Sequence, residues 1–378
     1  LEPKGTKWHW AKWLMFAGNY CLMMFYTTVC GWMFYYFYLM LTGYFRGLDS
    51  AGIEMTFQNM LQSPAINVGF MIFVVCSGFF IISLGFNNGV ERISKHMTMC
   101  LLALMFILAV RSITLPEATE GLRYYLVPDV SRFTQHGLSE VITATMGQTF
   151  FTLSLGVGAI AIFGSYIDKE KKLTGEAIQI IALDTIIAII AGLIIIPACF
   201  AYDVDPSQGP GLVFISLPVI FSHMPMGQFW GVLFFLCMTF AAMTTVIAVF
   251  QALVDMIRDL TGCEKRTSVL VNLAVMIVLC LPCALGFNVW SFIQPMGEGT
   301  TIQDLEDFIV SNNLLPIGSL IYVLFCSWKA GWGFSAFIKE ANTGKGISFP
   351  AHIKWYCAIG IPLIILFIFV QGYVTMFG

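Results

Sequence analysis

Residues 146–166 read MGQTFFTLSLGVGAIAIFGSY, a run long enough to cross a bilayer yet interrupted at its middle by Gly156 and Gly158, just after Thr152 and Ser154. Crossing ~30 Å of hydrocarbon takes about 20 apolar residues in a helix. Each glycine in a helix interior costs about 1 kcal/mol relative to alanine. Two readings are open here. The glycines let a neighbouring helix approach closely, or the helix is discontinuous and its freed carbonyl and amide groups face a binding cavity.

Eight further apolar runs flank this one. The nine together cover 13–42, 68–87, 96–115, 141–166, 174–202, 227–257, 267–291, 307–328 and 353–377. Only helices and closed barrels satisfy the backbone in lipid, and runs of this length are helices. Composition agrees: of 378 residues, 58% are hydrophobic and 11% charged, with a mean hydropathy of +0.82. Soluble domains carry about a quarter charged residues, so a water-soluble globular enzyme is excluded. A net charge of −3 gives nucleic acid no electrostatic footing. The chain reads as an all-α polytopic membrane protein whose environment is the lipid bilayer.

Lysine and arginine set the orientation, because they are retained on the cytoplasmic side. Alternate segments hold Lys4, Lys7 and Lys12; Arg92 and Lys95; Lys169, Lys171 and Lys172; Arg258, Lys265 and Arg266; then Lys329, Lys339, Lys345 and Lys354. The opposite segments hold Arg46, Arg111, Arg123 and Arg132. This alternation puts the N-terminus of the chain in the cytoplasm and its C-terminus outside. The opening LEPKGTKWHW has no signal-peptide pattern and reads as a cytoplasmic loop entered midway. An odd number of spans and a first residue that is not Met lead to the expectation of residues upstream. No N-x-S/T acceptor occurs, which fits a prokaryotic inner membrane.

Polar groups inside the apolar runs are the candidate functional residues. Asp184 lies in IIALDTIIAII, and a mid-bilayer carboxylate costs about 2.5–3.5 kcal/mol on insertion scales, so it should face the bundle interior. Thr244 and Thr245 are adjacent in FAAMTTVIAVFQ. Helical threonines commonly bond back to a carbonyl one turn earlier, while hydroxyls with a freed carbonyl also suit a hard cation such as sodium. Both readings stand. Cys280-Leu-Pro-Cys283 has redox spacing but lies in an apolar run without βαβ context, so packing around a proline kink is expected. The aromatics of Trp32–Tyr38 suggest an interfacial belt with bulky packing.

Three stretches, MGQTFFTLSLGVGAIAIFGSY, GPGLVFISLP at 209–218 and FAAMTTVIAVFQ at 240–251, resemble the neurotransmitter:sodium symporters of the LeuT fold. The likeness runs the length of the chain, and the nine spans correspond to that family's third to eleventh helices, with the fourth span here as its broken sixth helix. The resemblance implies an inverted-repeat bundle forming one transporter domain over 1–378. In it 13–115 is the remainder of the first repeat, 141–328 the second, and 353–377 an additional helix. It also implies roles for particular residues. Tyr26 resembles the tyrosine that holds the substrate carboxylate, and Leu22, Ser154, Val157 and Val249 would line the side-chain pocket, beside Thr152 and Thr245. Phe151 resembles the aromatic lid and Asp307 the acidic member of the outer gate. Thr152 and Asp184 match one sodium site; the Ala241 carbonyl with Thr244 and Thr245 matches half of a second. Tyr166, Gln251 and Asp259 are similar to the inner gate.

Two departures bear on mechanism. The family commonly has Asn at position 184, and its animal members bind chloride with help from a serine where this chain has Ala188. Gln148 of the chloride pattern is present. The fixed carboxylate of Asp184 implies chloride-independent sodium coupling. The glycine-rich segment of the family's first two helices has no counterpart here. The expected activity is therefore sodium-coupled symport of a hydrophobic or aromatic amino acid by alternating access. The alternative is a shortened homologue without transport activity, a membrane binding or interaction subunit that a missing N-terminal segment or complementary chain completes.

Overall fold

A computed structural model describes residues 3–128, 137–164, 169–204, 206 and 209–377. Those residues are almost entirely helical. Eight helices among them are long and apolar enough to cross a membrane: Trp8–Thr42, Pro64–Ser83, Gly89–Ile113, Leu173–Ala201, Gly227–Thr261, Lys265–Gly286, Ile302–Ser327 and Ala351–Val374. The ninth apolar run is the interrupted one.

In chain order the α-helices are α1 (Ala11–Thr42), α2 (Ser50–Gln62), α3 (Pro64–Ser83), α4 (Arg92–Ile113), α5 (Ala118–Leu126), α6 (Leu138–Thr152), α7 (Ala159–Gly164), α8 (Leu173–Ala201), α9 (Leu217–His223), α10 (Gly227–Thr261), α11 (Lys265–Gly286), α12 (Ile302–Phe308), α13 (Leu315–Ser327), α14 (Phe334–Ala341) and α15 (Ile361–Phe377). Helix α3 starts four residues before the apolar run at 68, because Ser63 accepts from the Ile66 N–H and Pro64 follows at the first turn. The short helices α2, α5, α9 and α14 lie between the apolar runs.

Three wide, π-type turns share one cause. Leu212–Ser216, Ile309–Leu314 and Tyr356–Gly360 each end two residues before a proline: Pro218, Pro316 and Pro362. A proline has no N–H for the carbonyl four residues back, so that carbonyl must find another partner. For Pro362 the orphan is the Ala358 carbonyl, and the Trp328 indole donates to it at 2.9 Å. At Ile309–Leu314 the Asn313 side chain donates to the Phe308 carbonyl at 3.1 Å, and its own oxygen accepts from the Tyr373 hydroxyl.

The chain divides into two compact units built from non-contiguous segments: Leu1–Leu22, Asp129–Ile186 and Glu306–Gly378 form one, Met23–Pro128 and Ile187–Leu305 the other. In the second unit α10 packs against α3, α4 and α11, and α11 against α3. Its core is aromatic. Trp32 and Tyr36, at 2% and 0% exposure, meet Phe214 edge-on, and Phe57 stacks on Phe214. The Trp32 indole donates to Asn67 at 2.7 Å, whose amide serves three carbonyls at the end of α2. The interfacial belt expected over Trp32–Tyr38 is thus corrected for Trp32 and Tyr36: they face helices rather than the membrane surface. Tyr38 is exposed. Cys280 and Cys283 are fully buried, and Cys280 accepts from Thr27, in keeping with packing.

In the first unit the interruption is built by three left-handed residues, Ser154 (φ +49°), Gly156 (φ +90°) and Gly158 (φ +84°). Helix α6 ends in a Schellman cap: Leu155 N–H bonds the Phe150 carbonyl and Ser154 N–H the Phe151 carbonyl, both at 3.0 Å. The left-handed position of that cap usually holds glycine, and a side chain there costs roughly 1–2 kcal/mol. Beyond the cap the chain runs directly against α13. A Cβ at Gly318 would drive into the Gly156 carbonyl, and one at Gly156 would lie 2.8 Å from the Ser319 amide nitrogen. The interruption and α13 touch backbone to backbone.

The same unit ties three loops together at one end. The Trp8 indole donates to the Ala330 carbonyl at 2.7 Å, Lys172 N–H to the Lys345 carbonyl at 3.1 Å, and Lys345 N–H to the Glu170 carbonyl at 2.8 Å. Lys169 pairs with Glu340 and Lys171 with Glu176.

The Gly156–Gly318 contact generates a prediction. Gly318→Ala should lower the stability of the purified protein in detergent by about 1–3 kcal/mol, as overpacking does. Gly147→Ala and Gly164→Ala have nothing within 4 Å and should stay within about 0.5 kcal/mol of the parent. Denaturation curves of the three variants check this, and equal effects at all three positions would contradict the close approach.

Candidate functional site

The interruption between α6 and α7 places the residues that the sequence singles out. Phe151, in the last turn of α6, and Asp307, in the last turn of α12, line one cleft of about 620 Å³. Gln148, Ser311 and Asn312 share its walls. Asp307 is exposed and accepts from the Ser311 hydroxyl at 2.8 Å. The two outer-gate candidates therefore belong to one surface. Ser154, held at the cap by its left-handed backbone, lines a separate and largely apolar cleft of about 540 Å³ with Gly156, Gly158, Ser319 and Tyr322. Val157 is buried at 1% exposure, and Leu22 at 7%.

The candidate ligands of the first cation site differ in setting. Thr152 closes α6 and is exposed; Asp184, midway along α8, is partly exposed. No hydrogen bond or ion pair joins either side chain to another described residue. Helix α8 is the least buried of the candidate spans, at 11%.

The second set lies within one turn of α10. Thr244 donates to the Ala241 carbonyl at 2.8 Å, and Thr245 to the same carbonyl at 3.5 Å. These are the back-bonds that helical threonines make, and they gather three oxygens on one face of one turn. The Tyr26 phenol faces the Thr245 hydroxyl. Tyr26 on α1 and the three oxygens on α10 are thus joined within the second unit. One turn further on, Val249 is buried at 5% exposure.

The described inner-gate candidates both lie on α10. Gln251 donates to Asp255 at 2.8 Å, not to Asp259, and Asp255 also faces Arg258 at 3.6 Å. The reason is helical spacing: Gln251 and Asp255 are four residues apart and share a face, whereas Asp259 is exposed at the end of α10. Tyr166 lies outside the described residues.

One residue beside the interruption was missed. Asn19, fully buried on α1, donates to the Val157 carbonyl at 2.6 Å. Its signal in the sequence is slight, a single amide in the apolar stretch LMFAGNYCLMMF.

A profile of the Sodium:neurotransmitter symporter family matches residues 52–377. The uncharacterized sodium-dependent transporter YhdH of Bacillus subtilis (strain 168) is 29% identical over 374 residues, which cover 98% of this chain and 81% of that protein. An uncharacterized sodium-dependent transporter of Haemophilus influenzae is 30% identical over 381 residues, 98% of this chain and 81% of that one. Among solved structures, MhsT in complex with L-phenylalanine is similar with a TM-score of 0.85 at 30% identity, covering 97% of this chain and 82% of MhsT. A helix interrupted at mid-span, Phe151 and Asp307 on one cleft and oxygens gathered beside Tyr26 occur here in a chain with these likenesses: it belongs to the sodium:neurotransmitter symporter family, has the LeuT-type fold, and is a multi-pass membrane protein for sodium-coupled transport rather than an enzyme.

Proposed function

We propose that the protein carries a hydrophobic or aromatic amino acid across a prokaryotic inner membrane together with sodium, by alternating access and without chloride. The observation that carries this reading is the pairing of Tyr26 with Thr245. One hydroxyl would then face both the solute's carboxylate, through Tyr26, and a cation held by Ala241, Thr244 and Thr245. Binding at neighbouring sites that share a group raises each affinity by the same factor, which is what coupling requires. The back-bonded hydroxyls supply neutral oxygens of the kind a hard monovalent cation takes. Thr152 and Asp184 are the proposed ligands of a further sodium, and Phe151 over the cleft shared with Asp307 is the proposed outer lid.

The proposed solute class draws on apolar candidates in each unit. Leu22, Val157 and Val249 are buried apolar side chains, and the MhsT relative was solved with L-phenylalanine. Val157 is small, which leaves room for an aromatic ring. Chloride independence rests on Asp184, whose carboxylate would supply the negative charge that the ion provides elsewhere in the family. The proposed orientation, N-terminal residues inside, draws support from the loops tied at one end of the first unit. Trp8, Ala330, Lys172 and Lys345 all sit there, and their neighbours carry ten of the nineteen basic residues.

Uptake by purified protein in liposomes tests the reading. An inward sodium gradient should drive L-phenylalanine uptake, and replacing sodium by potassium or choline should abolish it; uptake indifferent to sodium would overturn the proposal. Exchanging chloride for gluconate should leave the initial rate within about twofold of its value, whereas Asp184→Asn should alter its chloride and pH dependence. Loss of uptake without chloride in the parent protein, or an Asp184→Asn profile identical to it, would remove the chloride-independent mechanism.

Pocket size has its own test. Val157→Phe should shift the preference from phenylalanine towards smaller side chains such as alanine, by at least the roughly 10–200-fold in relative affinity that one methylene of pocket space is worth. Competition against labelled substrate measures the ranking, and an unchanged order would place the side-chain pocket elsewhere.

A further inference from the structure

Asn19 is the only side-chain amide of α1 and is fully buried. Both protons of its Nδ2 are used. One goes to the Met15 carbonyl at 2.8 Å, a turn back on the same helix; the other crosses to the Val157 carbonyl at 2.6 Å. In an unbroken helix the Val157 carbonyl would accept from the N–H of Ala161. Here regular bonding resumes only with Ile162 N–H to the Gly158 carbonyl at 3.1 Å, and the amide of Asn19 takes the vacant place. The orientation of the amide follows from its neighbours, since turning it over would set Oδ1 against two carbonyl oxygens.

That arrangement leaves Oδ1 buried with no hydrogen-bond partner among the described residues. Burying an acceptor in that way is unfavourable, and a leucine of similar size would fill the space without it. The gain from an amide here is the bond to Val157. The same face of α1 seats the rest of the interruption: a Cβ at Gly18 would lie 3.4 Å from the Val157 side chain, and one at Gly158 would meet Met15 at 3.2 Å. Met15, Gly18 and Asn19 are spaced three and four apart, one helical face.

We propose that Asn19 is a positioning residue, a latch that stands in for the missing helical N–H at Val157, ties the start of α7 to α1, and releases when α7 moves during transport. The proposal rests on the alternating-access reading above. Without the latch α7 opens whether or not solute is bound, and sodium-driven accumulation leaks away while the binding groups remain in place.

The test compares the parent protein with Asn19→Leu, which keeps the volume and removes the donor. Steady-state accumulation of L-phenylalanine in liposomes should fall at least tenfold, with its sodium-dependent Kd within threefold. Hydrogen exchange at residues 159–164 should quicken at least tenfold, with residues 138–152 unchanged. Parent-like accumulation and parent-like exchange in Asn19→Leu would overturn the latch. Should that variant not fold, Asn19→Asp presents only acceptor oxygens to Val157 in the same shape; it should show both changes, and normal values would overturn the proposal equally. If the parent protein itself accumulates no solute, the symport reading fails, and the exchange comparison still decides whether Asn19 holds α7.

Discussion

A backbone in hydrocarbon must hydrogen-bond within the protein, and residues 153–158 cannot do so as a helix. Everything particular to this chain depends on how that deficit is met. The Schellman cap uses two of the free amide groups, Asn19 serves the Val157 carbonyl, and direct contact with α13 at Gly318 buries Gly156. The left-handed Ser154 is the costly element of the arrangement, and it stays because its surroundings over-determine it.

Prolines do related work elsewhere. Each of Pro218, Pro316 and Pro362 removes one N–H and is preceded by a widened turn. The turn before Pro316 lies immediately after Asp307, so an outer-gate candidate and a deformable piece of helix are adjacent in sequence. The carbonyl freed by Pro362 is met by the Trp328 indole, which reaches from another segment of the same unit. Side-chain donors thus substitute for backbone donors at several points, of which the Asn19–Val157 bond is the most buried.

Much of the fold was legible in the sequence. The apolar runs announce the spans, and two glycines in the fourth leave a break as one of two readings; the structure supplies the break and adds that Ser154, a residue with no such reputation, makes the first left-handed turn. Early starts such as α3 at Pro64 follow from capping, which hydropathy does not register. Trp32 and Tyr36 read as a belt because aromatic clusters at a span's end look alike whether they meet headgroups or other helices; only tertiary contact separates the two. Family likeness groups Gln251 with Asp259, and spacing along the helix adds the Asp255 partner one turn away. Asn19 carried almost no signal, since one amide in an apolar helix is a bond only when its acceptor is known.

In the proposed mechanism Thr245 stands where two recognitions meet, one for a carboxylate by way of Tyr26 and one for a cation by way of Ala241 and Thr244. If that junction is the coupling element, the two ligands must assist one another equally at equilibrium. Paired titrations of the purified protein, labelled L-phenylalanine against sodium and radioactive sodium against L-phenylalanine, measure this directly. The account requires the same factor of improvement in both directions, reduced towards one in Thr245→Ala; independent affinities, or an undiminished factor in that variant, would contradict it.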